Sequence, residues 1–151
     1  VELNQLAESV MQQTKPRADA ASIDLEFTPS PEPVFVQADA HRLAQVLNNL
    51  LDNALRVTPE HGKITVRLET SEKLVKLSVR DTGPGIPEDE LSTIFERFVQ
   101  GKYRDTRKKG SGLGLAIVKT LVTLHGGTVT AMNADRVTSG GAVLEVTLPL
   151  T

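Results

Sequence analysis

Ile64-Thr65-Val66-Arg67-Leu68-Glu69 and Val75-Lys76-Leu77-Ser78-Val79-Arg80, joined by Thr70-Ser71-Glu72-Lys73-Leu74 and followed by Asp81-Thr82-Gly83-Pro84-Gly85-Ile86, decide the fold. Apolar and polar residues alternate strictly in both runs. A period of two puts one face of each run against a core and the other toward water. The connection is short enough for an antiparallel hairpin. Working outward, Ile23-Asp24-Leu25-Glu26-Phe27 alternates in the same way and predicts a third, half-buried strand. Pro29, Pro31 and Pro33 mark a loop, and Val34-Phe35-Val36 is expected as a further short strand. Two more strands are expected around Thr128 to Met132 and Ala142 to Leu148.

Helical spacing fills the gaps. From Val1 to about Ala20, Leu3, Leu6 and Val10 give a first helix an apolar face, with Pro16 expected to end or kink it. Asp39 has the chemistry of an N-cap for a helix reaching about Val57, where Thr58-Pro59 stops it. Pro87-Glu88-Asp89 reads as a first helical turn, leading into Phe95-Glu96-Arg97-Phe98. A last helix is expected from Gly112 to about Leu124, closed by Gly126-Gly127. Helices on one face of a mixed, mostly antiparallel sheet make an α+β fold, a two-layer α/β sandwich.

Composition sets bounds on function. At 151 residues the chain fits one domain with a real core, spanning 1–151. A net charge of −2 gives no drive toward nucleic acid or an anionic membrane, and none of those is expected as a direct partner. Cysteine is absent, which excludes disulfides, thiolate zinc sites and a cysteine nucleophile. No apolar run approaches the roughly 18 residues of a membrane span. The chain is expected to be a soluble, monomeric piece cut from something longer.

Three segments carry candidate chemistry. In Asn49-Leu50-Leu51-Asp52-Asn53-Ala54, residues Asn49, Asn53 and Arg56 fall at i, i+4 and i+7 and share a helix face. Leu43, Leu47, Leu50, Leu51 and Ala54 lie toward the core. An amide oxygen is a suitable ligand for a hard cation such as Mg2+, yet the same amides would also suit a plain solvated face. Asp81 ends a strand before Gly83 and Gly85. Its carboxylate can accept from an exocyclic amine such as adenine's, or simply close an Asx-turn. In Gly110-Ser111-Gly112-Leu113-Gly114-Leu115 the glycines expose backbone amides before a helix N-terminus, an arrangement that cradles phosphate or serves as a hinge. The spacing matches neither a Walker loop nor a dinucleotide fingerprint.

Taken together, in this order and spacing, the three segments resemble the nucleotide site of the histidine-kinase catalytic domains, within the ATP-binding superfamily of gyrase, Hsp90, histidine kinases and MutL. The resemblance covers nearly the whole chain. It implies ATP and Mg2+ as cofactors, with Asn53 on the metal, Asn49 supporting the phosphate region and Arg56 approaching the phosphate tail. It implies Asp81, Gly83, Gly85 and Ile86 at the nucleobase, and residues 110–115 at the phosphates. Residues 99–109 correspond to a lid, in which Lys102, Tyr103 and neighbouring cations would meet ATP. Phe95 and Phe98 match a Phe-x-x-Phe segment before that lid and read as core or hinge packing, with partner contacts as the alternative.

The same resemblance separates two chemistries. In the gyrase and MutL branch, a glutamate one turn before the metal-binding Asn activates water; here that position is Asn49, an amide that accepts no proton at neutral pH. The implied reaction is transfer of the γ-phosphate to a histidine on a separate dimerisation domain, then to a response regulator. Asp52 and Glu96 remain as alternative bases, and a hydrolysing ATPase or a non-catalytic docking module as alternative functions. His41, His61 and His125 are followed by Arg42, Gly62 and Gly126 rather than an acid, so all three read as structural. Arg56 replaces a more usual lysine, and Val57 a more usual ring. The family expectation for the parent is a protein anchored in the inner membrane with this domain in the cytoplasm.

Overall fold

The computed structural model describes residues 1–96, 114–134 and 140–151. In chain order the elements are helix α1 (Leu3–Ala20), strand β1 (Asp24–Thr28), helix α2 (Ala40–Val57), strands β2 (Lys63–Thr70) and β3 (Leu74–Asp81), a single 3-10 turn (Glu88–Glu90), helix α3 (Gly114–Leu124) and strands β4 (Thr128–Asn133) and β5 (Ala142–Pro149). The strands form one five-stranded sheet in the order β1-β2-β3-β5-β4. Strand β1 runs parallel to β2, and every other neighbouring pair is antiparallel. The expected α+β sandwich is what the described residues form.

Alternation in β2 and β3 does what its period requires. Ile64, Val66 and Leu68 on β2 and Val75, Leu77 and Val79 on β3 are all buried, and β5 adds Leu144, Val146 and Leu148. Helix α2 supplies Leu43, Leu47, Leu50, Leu51 and Ala54 to the same core, α1 supplies Leu3, Ala7 and Val10, and α3 supplies Leu115, Val118 and Val122. The other side of the sheet carries opposed charges, paired as Lys63–Glu26 at 2.9 Å, Arg67–Glu69 at 2.7 Å and Lys76–Glu145 at 3.8 Å. Exposed pairs of this kind add little stability but keep that face wetted.

Three expectations need correction. Helix α1 continues through Pro16 to Ala20. Residues 12, 13 and 16 all lie on the solvent side, so the Gln12 carbonyl left without its i+4 donor faces water. Val34-Phe35-Val36 is extended but joins no sheet strand. It pairs with the chain's first residues through Leu3 N–H to the Val34 carbonyl at 2.7 Å and Val36 N–H to the Val1 carbonyl at 3.0 Å. After Pro87 the chain forms one 3-10 turn and then successive turns rather than an α-helix, burying Ile94 and Phe95 as it goes. Phe95 is therefore core packing, whereas Phe98 lies outside the described residues.

Caps match the sequence. The Asp39 carboxylate accepts from the N–H groups of His41 at 2.9 Å and Arg42 at 3.1 Å. At the other end of the chain's helices, Gly126 takes φ +77°. Gly127 N–H then reaches back to the Val122 carbonyl at 2.9 Å, closing α3 with a left-handed cap that a glycine reaches without a side-chain clash. The Arg42 amide chiefly, with the His41 amide, holds the Asp39 carboxyl below its ordinary value of 3.8 against a smaller opposing effect of desolvation. A depressed folded value means this stabilisation is complete above the ordinary value and disappears as pH falls through the depressed one. We expect Asp39→Ala to lower the melting temperature by roughly 2–4 °C at neutral pH. Asp39→Asn, which keeps a capping oxygen, should melt near the unmutated chain, and the Ala difference should shrink when melting is repeated at acid pH.

Candidate functional site

Five polar side chains are buried among the described residues: Thr14, Ser30, Asn53, Thr58 and Asp81. Thr14 and Thr58 donate to carbonyls four residues back in their own helices, the ordinary fate of a buried hydroxyl. Ser30 lies in the proline loop, where its N–H donates to Asn4 Oδ1. Asn53 and Asp81 remain, at 1% and 2% exposure, an amide and a carboxylate placed where apolar residues would pack. Burial of such groups is costly unless they are bonded, so their partners define the site.

Asp81 is the last residue of β3 and has the inward phase of Val75, Leu77 and Val79. Its Oδ1 accepts from Gly83 N–H at 2.8 Å and Ala142 N–H at 3.3 Å. These bonds fold the chain sharply after β3 and tie it to the start of β5. The glycines are explained one by one. A Cβ on Gly83 would stand 2.6 Å from the Val57 carbonyl oxygen, so only glycine lets the turn lie against the last turn of α2. Gly85 has φ +81°. Gly141 has φ +89°, and a Cβ there would collide with the Asp81 carbonyl oxygen.

On α2, Arg56 Nη2 donates to Asn53 Oδ1 at 3.3 Å. Asn49 Nδ2 donates to the carbonyl of Gly114, the first residue of α3, at 3.3 Å. The expected helix face is thus real, but it is not simply solvated: Asn53 is buried, and Asn49 and Arg56 are half-buried. Contact between Gly83 and Val57 brings the Asp81 turn to the end of α2 that bears Asn53 and Arg56. Ile86 and Leu115, both expected at the site, have side chains buried in the core at 3% and 2%. Lys102, Tyr103, Gly110, Ser111, Gly112 and Leu113, with the whole expected lid, lie outside the described residues.

Sequence reading missed Asn133. Its Oδ1 accepts from Ile86 N–H at 2.6 Å and its Nδ2 donates to the Ile86 carbonyl at 2.7 Å. A polar residue at a strand end, 47 positions away, carries no sequence signal for such a bond. Asp52, considered as a base, pairs with Arg17 of α1 at 2.7 Å, about half exposed. His125 is structural: Nδ1 donates to the Leu121 carbonyl at 2.7 Å, and Nε2 accepts from Asp39 N–H at 3.3 Å. Among the described residues no cluster of three His, Cys, Asp or Glu side chains could hold a metal. A metal here would rely on amide oxygen and on the ligand's own oxygens, which suits Mg2+. Among them too, no helix is long and apolar enough to cross a membrane.

Comparison with known proteins gives the chain its family. The family described as histidine kinase-, DNA gyrase B- and HSP90-like ATPase matches residues 38–151, and the chain belongs to it. Its place within the family is that of the catalytic ATP-binding domain of a histidine kinase. The sensor histidine kinase ZraS of Escherichia coli strain K12 is 41% identical over 129 residues, covering 85% of this chain and 27% of ZraS. Full-length ShkA in complex with AMPPNP superposes with a TM-score of 0.84 at 33% identity, covering 100% of this chain and 30% of ShkA. Histidine kinase ThkA, in complex with the response regulator protein TrrA, gives 0.84 at 32% identity, covering 100% and 41%. The chain spans 9% to 31% of the length of the curated relatives it matches.

The packing around Asp81 gives a direct expectation. Gly141→Ala should destabilise the chain by at least about 2 kcal/mol, from the left-handed backbone and the collision with Asp81 together. Denaturant unfolding measures it. A substitution of Gly114 to Ala, where a Cβ meets nothing within 4 Å among the described residues, serves as the tolerated control.

Proposed function

We propose that residues 1–151 form one catalytic domain that binds Mg-ATP and donates the γ-phosphate to a histidine on a separate dimerisation domain of the same protein. A response regulator aspartate then receives the phosphate. The observation that carries the reading is the meeting of two buried polar residues, Asn53 and Asp81, at one end of the core, in contact through Gly83 and Val57. A carboxylate there accepts from the exocyclic amine of adenine, which guanine lacks at that position. Gly83, Gly85 and the Ile86 backbone would line the base. Asn53 would supply an amide oxygen to Mg2+, and Arg56, already on that oxygen, would turn to phosphate. Mg2+ held there would supply positive charge against the phosphates. Lys102, Tyr103 and residues 110–115 would enclose the triphosphate.

Phosphoryl transfer is favoured over hydrolysis by what surrounds the expected phosphates. Asn49 cannot act as a base, and its amide is engaged with the Gly114 carbonyl. Asp52 is committed to Arg17 on the α1 side. Kinase complexes with a nucleotide analogue, as in ShkA, and with a response regulator, as in ThkA, support the same reading. The parent protein is proposed to be anchored in the inner membrane, with this domain on the cytoplasmic side.

Calorimetric titration with a non-hydrolysable ATP analogue tests the site. Saturable binding is expected, weakened at least about tenfold by Asp81→Asn, the loss of one charge-assisted hydrogen bond. Asn53→Ala should remove most of the gain in affinity that Mg2+ gives. No saturable binding by the unmutated chain sinks the proposal. A second assay separates the chemistries: with labelled ATP, label should appear on an added histidine-bearing dimerisation domain and never on this chain alone. Steady phosphate release by the chain alone would point instead to a hydrolysing ATPase.

A further inference from the structure

Asn133 stands at the end of β4, and its side chain does what a neighbouring strand would do. One planar amide accepts from the N–H of Ile86 at 2.6 Å and donates to the carbonyl of the same residue at 2.7 Å. A single hydroxyl would not span both groups, and a carboxylate at neutral pH has no proton to donate to the carbonyl. Two further observations place this clamp at the Asp81 turn. First, a Cβ on Gly85 would lie 2.9 Å from Asn133 Oδ1, so the glycine leaves the approach open. Second, Asn133 is the register partner of Ala142, whose N–H donates to Asp81 Oδ1. The end of the β4–β5 ladder therefore grips the turn twice, through Ala142 on Asp81 and through Asn133 on Ile86.

We propose that Asn133 is a positioning residue for the nucleobase end of the site. By fixing both backbone groups of Ile86 it holds the turn from Gly83 to Ile86 in one place relative to the Asp81 carboxylate. The base then meets a preformed edge and does not have to order the turn as it binds. Side chains at the phosphate end act on a different part of the ligand, so Asn133 governs affinity for the base and leaves discrimination between diphosphate and triphosphate untouched. The inference rests on the ATP-binding reading above.

Calorimetry with ADP and with a non-hydrolysable ATP analogue, each with Mg2+, tests it on the unmutated chain, Asn133→Ala and Asn133→Asp. Aspartate keeps the shape and the bond from Ile86 N–H but sets a carboxylate oxygen against the Ile86 carbonyl, so the second bond is replaced by a repulsion without a cavity being left. We expect Asn133→Ala to weaken both ligands by the same factor, about three- to tenfold, from the net worth of the lost hydrogen bonds. Asn133→Asp should weaken both equally too, and amide hydrogen exchange at Ile86 should quicken in Asn133→Ala. A lower melting temperature with both dissociation constants unchanged overturns the inference, as does a loss that falls mainly on the triphosphate. Failure of the unmutated chain to bind either nucleotide overturns the ATP reading and this inference with it. Normal binding by the unmutated chain and by both variants overturns the inference alone.

Discussion

Period-two alternation in β3 does not stop at the last apolar residue. It carries through to Asp81, so the inward side of the strand ends on a carboxylate buried at 2% exposure. A buried carboxylate has to be bonded, and the backbone amides of Gly83 and Ala142 both donate to this one. Much of the surrounding architecture follows from satisfying it. Gly83 turns the chain back so that its own N–H reaches Oδ1, β5 begins where Ala142 can add a second donor, and Gly141 makes room for the Asp81 carbonyl. The space that Gly141 leaves is for a backbone carbonyl, which any residue at 81 would carry, so that glycine serves the close approach of β5 to the end of β3.

Helix α2 repeats the device. Leu43, Leu47, Leu50 and Ala54 set its buried stripe, and Asn53 enters the edge of that stripe near the C-terminal end. Its oxygen is met by Arg56 one turn on. A carboxylate and an amide are thus exported to one end of an otherwise apolar interior. Such placements lower stability relative to leucine or valine. Because both sit on rigid elements, a strand end and a helix, their separation is fixed by the packing of Gly83 on Val57 rather than by loop order.

Legibility from sequence followed the range of the interaction. Strands β2, β3 and β5, the Asp39 cap and the Gly126 stop each depend on neighbours within a few residues, and each was readable. Asp81 and Asn53 were readable as chemistry because short motifs surround them. Pro16 misled because proline's cost depends on which way the orphaned carbonyl faces, a tertiary matter. The segment after Pro87 misled because good first-turn residues were followed by no apolar stripe to hold a helix down. Asn133 was invisible for a plain reason: its two bonds join residues 47 positions apart, and nothing local distinguishes it from a strand-end amide exposed to water.

Two side-chain tethers keep α2 and α3 in register with one another. Helices α2 and α3 lie antiparallel, since Asn49, near the middle of α2, bonds the first residue of α3, while the N-cap of α2 bonds His125 just past the end of α3. Bonds at both ends of α3 resist sliding along the axis, which apolar packing alone permits at small cost. The Asn49 bond is made through the same position that in the hydrolysing branch would carry a glutamate. An acid there would set a carboxylate oxygen against the Gly114 carbonyl in place of a donor, and the tether would become a repulsion. In this chain, then, Asn49, an amide that cannot act as a base, also holds the start of α3 against α2.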